Sequence, residues 1–391
     1  MSYSLIASAL RFVMDHAVLS IVFSLFAFAY FRLNTASGEN AKKEAEVENG
    51  DAEVQGKTWP QLSVFEHVEL GLRKNPHEPA VICLTEQSRS VHELVALSAE
   101  KDIQRDNITR SLWCKTDSPL ASPPSTPTRE INNVAFTLTY EQLHRNGLQL
   151  AKGLLAIGVK PNTRMVMLIP NGAEYAILLW ACILLRITYV NMDPSSLDIA
   201  GYTALKHTLQ VIKPQLVVAP DASSGKALDV AMSELGLPRP VRVCLSNPNA
   251  DWKTLVSVAS SADAQGAVDD AALVSDARHD DPSRINSIMF TSGTSGMPKG
   301  CPQTVAAISH ALHSQTWLID SDSGAAKCAL MQPHNSRGIA PAQTLQTWRA
   351  GGALVLTGQT FRYVICMISI LQLPFFSMYP INYQASQEQN E

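Results

Sequence analysis

The chain has 391 residues, 46% hydrophobic and 17% charged, enough apolar material for a core of two or three packed units and too much for a disordered chain. Thirty-one Lys plus Arg against 35 Asp plus Glu give a net charge of −4 with no long basic block, which argues against a primary nucleic-acid binder. Seven scattered cysteines, none spaced C-x-x-C, offer neither a disulfide framework nor a cysteine-built zinc site, so reduced thiols are the expectation.

At the amino terminus, Ala17 to Phe31 runs without a charge and ends beside Tyr30 and Arg32, residue types suited to a membrane interface. The run is short against the roughly 20 apolar residues of a spanning helix. Three readings fit it: a retained anchor, a signal cleaved near Ala27 and Ala29, or a buried core helix. The long, mixed-charge leader favours the anchor. Residues 1–35 are therefore read as a single hydrophobic helix tethering the chain to a membrane, and 36–60 as an acidic, solvated linker.

The globular body is expected over 61–361, with a polar surface insertion at about 87–133 that closes on the breaker-rich stretch from Leu120 to Glu130. Thr139 with Gln142 forms a capping box, and Leu143, Leu150, Leu154 and Ile157 recur on one helical face until Gly158. Strands are expected at Met165–Ile169, Thr188–Met192, Leu216–Ala219 and Val241–Leu245, with helices through Ala176–Ile183 and Leu228–Leu235 between them. These short runs are continuously apolar rather than alternating, the mark of strands covered on both faces. The fold class is α/β, with a parallel sheet and helical crossovers.

Ser287–Phe290 reads as a further buried strand running into Thr291, Ser292, Gly293, Thr294, Ser295, Gly296, Met297, Pro298, Lys299 and Gly300, with a helix opening at Thr304. Glycines let backbone N–H groups approach phosphate oxygens, hydroxyls add donors, and the lysine supplies a mobile cation. The spacing is not that of a Walker A loop, because Lys299 precedes Gly300 and no Gly-Lys-Ser/Thr occurs. His310 and His313 fall on the following helix and have no spaced carboxylate partner there, so they read as ordinary helix residues.

Phe290 to Gly300 resembles the most diagnostic stretch of the adenylate-forming enzymes, an aromatic followed by TSG, a Ser/Thr pair and G-x-P-K-G, with Ser295 where Thr is usual. Leu138–Leu143, Met167–Asn171 with Glu174 and Tyr175, Asn191–Pro194, Gln332–His334 with Gly338, and Gly351–Ala353 resemble further segments of that family. The resemblance covers about residues 61–361 and implies most of the large N-terminal domain.

What it implies chemically is ATP-dependent activation of a carboxylic acid through an acyl-adenylate, with transfer to a thiol such as coenzyme A. Thr291, Ser292, Gly293, Thr294, Ser295, Gly296 and Lys299 would hold the ATP phosphates, Mg²⁺ would bridge phosphate oxygens, and His334 would lie near the acyl pocket. The body would face the cytosol, where ATP is supplied. Residues 362–391 contain no glycine and match none of the family's later Gly-dependent motifs, so the chain reads as truncated after the N-terminal domain. The alternative is a non-catalytic, membrane-tethered nucleotide-binding or interaction protein.

Overall fold

Both faces of the expected strands are covered, and the reason is visible in alternate side chains. The computed structural model describes residues 61–84, 90–98, 136–198, 201–263, 268–291, 297–314, 328–331 and 333–358. All of them fall in the unit Trp59–Glu391. In β3 (Arg164–Met167), Met165 and Met167 enter the larger core, while Val166 and the following Leu168 enter a second core on the opposite face. The same alternation splits Val218 from Val217 in β5 (Leu216–Asp221) and Val243 from Cys244 in β6 (Val241–Ser246). A strand buried on both sides has no polar face to display, hence the unbroken apolar runs.

These strands belong to a seven-stranded sheet completed by β4 (Thr188–Asn191), β7 (Lys253–Thr254), β8 (Ile285–Thr291) and β9 (Lys299–Thr304), in the order β7-β6-β5-β3-β4-β8-β9. Every neighbouring pair is parallel except β8–β9. A second sheet has the order β10-β11-β1-β2, from β1 (Pro79–Cys83), β2 (Phe136–Thr139), β10 (Cys328–Met331) and β11 (Ala353–Leu356); here β2 alone runs antiparallel.

The helix Ala173–Leu185 is buried at all 13 of its positions, which explains a sequence without a polar face. It packs on the helix Tyr140–Ala156, where Gly147 leaves room for the Trp180 side chain: a Cβ on Gly147 would lie 2.7 Å from Trp180 Cδ1. Trp180 in turn meets Trp348 with ring centroids 5.3 Å apart. The Tyr140–Ala156 helix starts with the expected capping box: Thr139 Oγ1 accepts from Gln142 N at 3.2 Å, and Gln142 Oε1 accepts from Thr139 N at 2.9 Å.

Two expectations need correction. Lys299 does not lie in a loop that leads straight into a helix. Residues Lys299–Thr304 form β9, antiparallel to β8, so the Gly/Ser/Thr segment joins a β-hairpin and the helix Val305–Ser314 begins only after it. The polar stretch at about 87–133 is not wholly a surface excursion: 90–98 is helical, with Val91 and Leu94 fully buried in the main core. The hydrophobic segment 1–35, the acidic linker 36–60 and the tail 362–391 lie outside the described residues. Among the described residues no helix is long and apolar enough to cross a membrane.

Candidate functional site

Parallel α/β sheets present their ligand sites at the carboxyl ends of the strands. Because β8 runs parallel beside β4, with Tyr189 opposite Ser287, the end of β8 at Thr291 and the end of β4 at Asn191 share that edge. The hairpin register then fixes the neck of the Gly/Ser/Thr segment: Phe290 stands opposite Gly300 and Thr291 opposite Lys299. A Cβ on Gly300 would come within 3.1 Å of Ile288 Cγ2 and 3.2 Å of Phe290 Cζ, so the glycine is the space into which the strand's apolar side chains pack. Pro298 is anchored from outside, its carbonyl accepting from His207 Nε2 at 2.9 Å.

Of the expected phosphate-binding residues, Thr291 and Lys299 are exposed and face each other at this neck. Ser292, Gly293, Thr294, Ser295 and Gly296 lie outside the described residues. Behind the hairpin, Val305 N donates to the Arg284 carbonyl at 2.9 Å, tying the following helix to the root of β8. Arg284 is itself held by Asp280, Nε to Oδ1 at 2.7 Å and Nη2 to Oδ2 at 2.6 Å, in a largely buried pair.

His334 lies elsewhere on the same edge, in the segment between β10 and the helix Ile339–Ala350. It forms part of the wall of an open cleft of about 720 Å³ beyond the ends of β4 and β5, shared with Asp193, Ser195, Asp198, Asp221 and Ser224. Two of the carboxylates are already committed to turns. Asp193 accepts from Ser195 N at 3.0 Å, and Asp221 accepts from Ser224 N at 2.7 Å and Ser224 Oγ at 3.0 Å. Burial pushes the His334 imidazole below its ordinary pKa, against the opposing pull of the Asp193 carboxylate, so the ring is neutral near pH 7. Hydrogen bonds from the Ser195 backbone and side chain hold Asp193 below the usual carboxylate range despite its partial burial.

Sequence reading placed Asn171, Asn191 and Asp193 in family-like segments without giving them a role, and missed Asp198, Asp221 and Asn335. Asn191 and Asp221 are the last residues of their strands and the others follow a strand by two to seven residues, a position that marks a strand end but not a contact across the fold. His313, read as an ordinary helix residue, packs its ring against His67 at 4.9 Å. Among the described residues no group of three or more His, Cys, Asp or Glu side chains suits a metal ion.

Residues 123–362 match the family profile of AMP-binding enzymes. An acyl-CoA ligase of Pestalotiopsis microspora is 38% identical over 302 residues, covering 77% of this chain and 48% of that protein. An acetyl-coenzyme A synthetase of Chromobacterium violaceum is 29% identical over 197 residues, covering 47% of this chain and 29% of that one. The chain thus spans about half the length of the first relative and less of the second. Among solved structures, a long-chain-fatty-acid-CoA ligase of Archaeoglobus fulgidus superposes with a TM-score of 0.52 at 14% identity, over 82% of this chain and 51% of that chain, a likeness of fold.

Proposed function

The chain belongs to the AMP-binding enzymes, and from that premise we propose that it activates a carboxylic acid with ATP and passes the acyl group to a thiol, coenzyme A being the fitting acceptor. The observation that carries this reading is the β8–β9 hairpin, which sets the exposed Lys299 opposite Thr291 at the mouth of a Gly/Ser/Thr segment on the ligand-binding edge of the sheet. The names of the two sequence relatives support the acid-thiol ligase class.

In the first step a carboxylate oxygen attacks the α-phosphorus of ATP. The bond to the bridging oxygen breaks, and pyrophosphate leaves with the electron pair. In the second, a thiolate sulfur attacks the acyl carbon and AMP departs, the thiol proton passing to solvent. Such displacements depend on in-line positioning and charge neutralisation rather than a covalent catalyst. Lys299 and the hydroxyls from Thr291 to Ser295 would neutralise the departing pyrophosphate. Magnesium would arrive on the nucleotide as MgATP. The described residues supply no carboxylate cage for a protein-held ion, and no step here is routed through one.

Exchange of labelled pyrophosphate into ATP, driven by a panel of aliphatic, aromatic and amino acids, tests the reading. Stimulation by one acid class, abolished in Lys299→Ala, is the expected result. ATP-dependent thermal stabilisation without exchange for any acid would favour a nucleotide-binding protein without the chemistry.

Tethering to a membrane, with the body in the cytosol, belongs to the same proposal and is supported by the charge-free run Ala17–Phe31. Alkaline extraction of membranes checks it: the full chain should stay in the pellet, and a chain lacking residues 1–35 should be released.

A further inference from the structure

Asparagines, rather than a sheet ladder, hold the segment around His334. Asn171, four residues beyond the end of β3, accepts from the Asn335 backbone N–H at 2.9 Å through Oδ1 and donates to the Pro333 carbonyl at 2.9 Å through Nδ2. Those two backbone groups flank His334. One side-chain amide therefore pairs with the main chain on either side of the imidazole, as a neighbouring strand would. Asn335 Nδ2 donates to the Ile169 carbonyl at 2.8 Å, and Asn191 Nδ2 at the end of β4 donates to the Asn335 carbonyl at 3.1 Å. All three asparagines are buried, at no more than 5% exposure, where each lost partner is costly.

The same segment fixes the ring. Ser336 N donates to His334 Nδ1 at 3.2 Å, so in the neutral imidazole the proton sits on Nε2. Nε2 is buried and makes no hydrogen bond to the protein; the Ile169 carbonyl, which accepts from Asn335, favours the protonated ring but only partly offsets burial. A donor held in one tautomer and left unpaired is suited to an acceptor oxygen that arrives with a ligand.

We propose that Asn171 is a positioning residue: its paired hydrogen bonds to the backbone flanking His334 hold the imidazole in the cleft wall with Nε2–H reserved for an oxygen of the carboxylic acid. The identity of that oxygen rests on the function proposed above; the hold on the ring does not. Removing the Asn171 amide frees residues 333–335 from the end of β3. The ring then loses its fixed tautomer, and the acid loses a donor.

The experiment uses the full chain with ¹⁵N-labelled histidine side chains, the His334 signal being assigned by its loss in His334→Gln. The wild type is expected to show a fixed Nε2–H tautomer. Asn171→Ala should move that signal toward the averaged shifts of free imidazole while the other nine histidines keep theirs. Asn171→Asp, which still accepts from Asn335 N–H but cannot donate to Pro333, should fall between and covers the case of an Ala variant that does not fold. In pyrophosphate exchange, KM for the acid should rise about tenfold in Asn171→Ala with KM for ATP held within about twofold. Unchanged His334 ring signals in a folded variant, or KM values for acid and ATP that rise together, would overturn the proposal. If the wild type catalyses no exchange with any acid, the activity reading fails by itself, and the ring signals alone decide the role of Asn171.

Discussion

Thr291 and Lys299 are register partners across the β8–β9 hairpin, and Thr291 Oγ1 reaches the Lys299 carbonyl at 3.5 Å. The ends of a glycine-containing segment are thereby held one strand spacing apart. Loop closure is then a cost met on folding rather than on nucleotide binding.

Gly300 tests whether that neck must stay tight. A side chain there would press on Ile288 and Phe290, which hold the two strands in register. Gly300→Val is expected to destabilise the chain by about 1–3 kcal/mol, as overpacking does. Its ATP affinity should fall further than the stability loss explains, and denaturant melts beside nucleotide titrations separate the two. ATP affinity unchanged in a folded Gly300→Val would mean that the neck geometry is irrelevant to binding.

The strands β3, β5 and β6 are legible in sequence because burial on both faces leaves one pattern, and the Thr139–Gln142 capping box is legible because its partners are three residues apart. β9 is not legible for the opposite reason. Its sequence, KGCPQT, holds glycine and proline and is largely exposed, so no local preference marks a strand. It exists because β8 offers an unpaired edge, and Pro302 is tolerated because β9 is the outermost strand. The Asn171–Asn335 pairing spans 164 residues, and nothing in either neighbourhood announces it. Local order can be read from the chain; contacts that only the closed fold creates cannot.

His67 makes the chain acid-sensitive. It is fully buried, accepts from Arg349 Nε at Nδ1 (3.1 Å), and through Nε2 meets Ser309 Oγ at 2.9 Å, with the His313 ring against it. Burial first, then the Arg349 guanidinium and His313, lower its pKa from 6.5 to about 3. The folded state thus keeps His67 neutral while the unfolded chain protonates it below 6.5. Its stabilising share is complete above that value and is lost as pH falls from 6.5 toward 3. Between pH 7.5 and 4.5 the loss attributable to His67 is on the order of 2–3 kcal/mol. His67→Gln should be less stable at pH 7.5 but lose less on acidification; parallel urea-midpoint curves for the two proteins would assign the acid sensitivity to other groups.

Tyr140 joins the second sheet to the helices. Its hydroxyl donates to the Gly352 carbonyl at 2.6 Å, just before β11, and the ring is fully buried. Tyr140→Phe keeps the ring and leaves that carbonyl short of a donor, at a cost of about 1–2 kcal/mol. Because this contact is remote from the hairpin, nucleotide affinity at a temperature well below the melting point should stay at the wild-type value. A weakened ATP interaction in Tyr140→Phe would show that the two sheets are coupled.

Asp280 reaches the hairpin from its root. It holds Arg284 through two hydrogen bonds, and the Arg284 carbonyl accepts from Val305 N, so one residue links the start of β8 to the helix beyond β9. Arg284 also donates to Asn286 Oδ1 at 3.2 Å, extending the same hold one residue into the buried part of the strand. Asp280→Ala strands a largely buried guanidinium, a change that costs about 3–5 kcal/mol in comparable pairs. Asp280→Asn keeps an acceptor and should cost less. If the root governs the neck, both variants will bind ATP more weakly in the order of their destabilisation, measured where each is fully folded. Equal ATP affinities across wild type, Asp280→Asn and Asp280→Ala would instead show that the hairpin holds Thr291 and Lys299 in place by its own ladder alone.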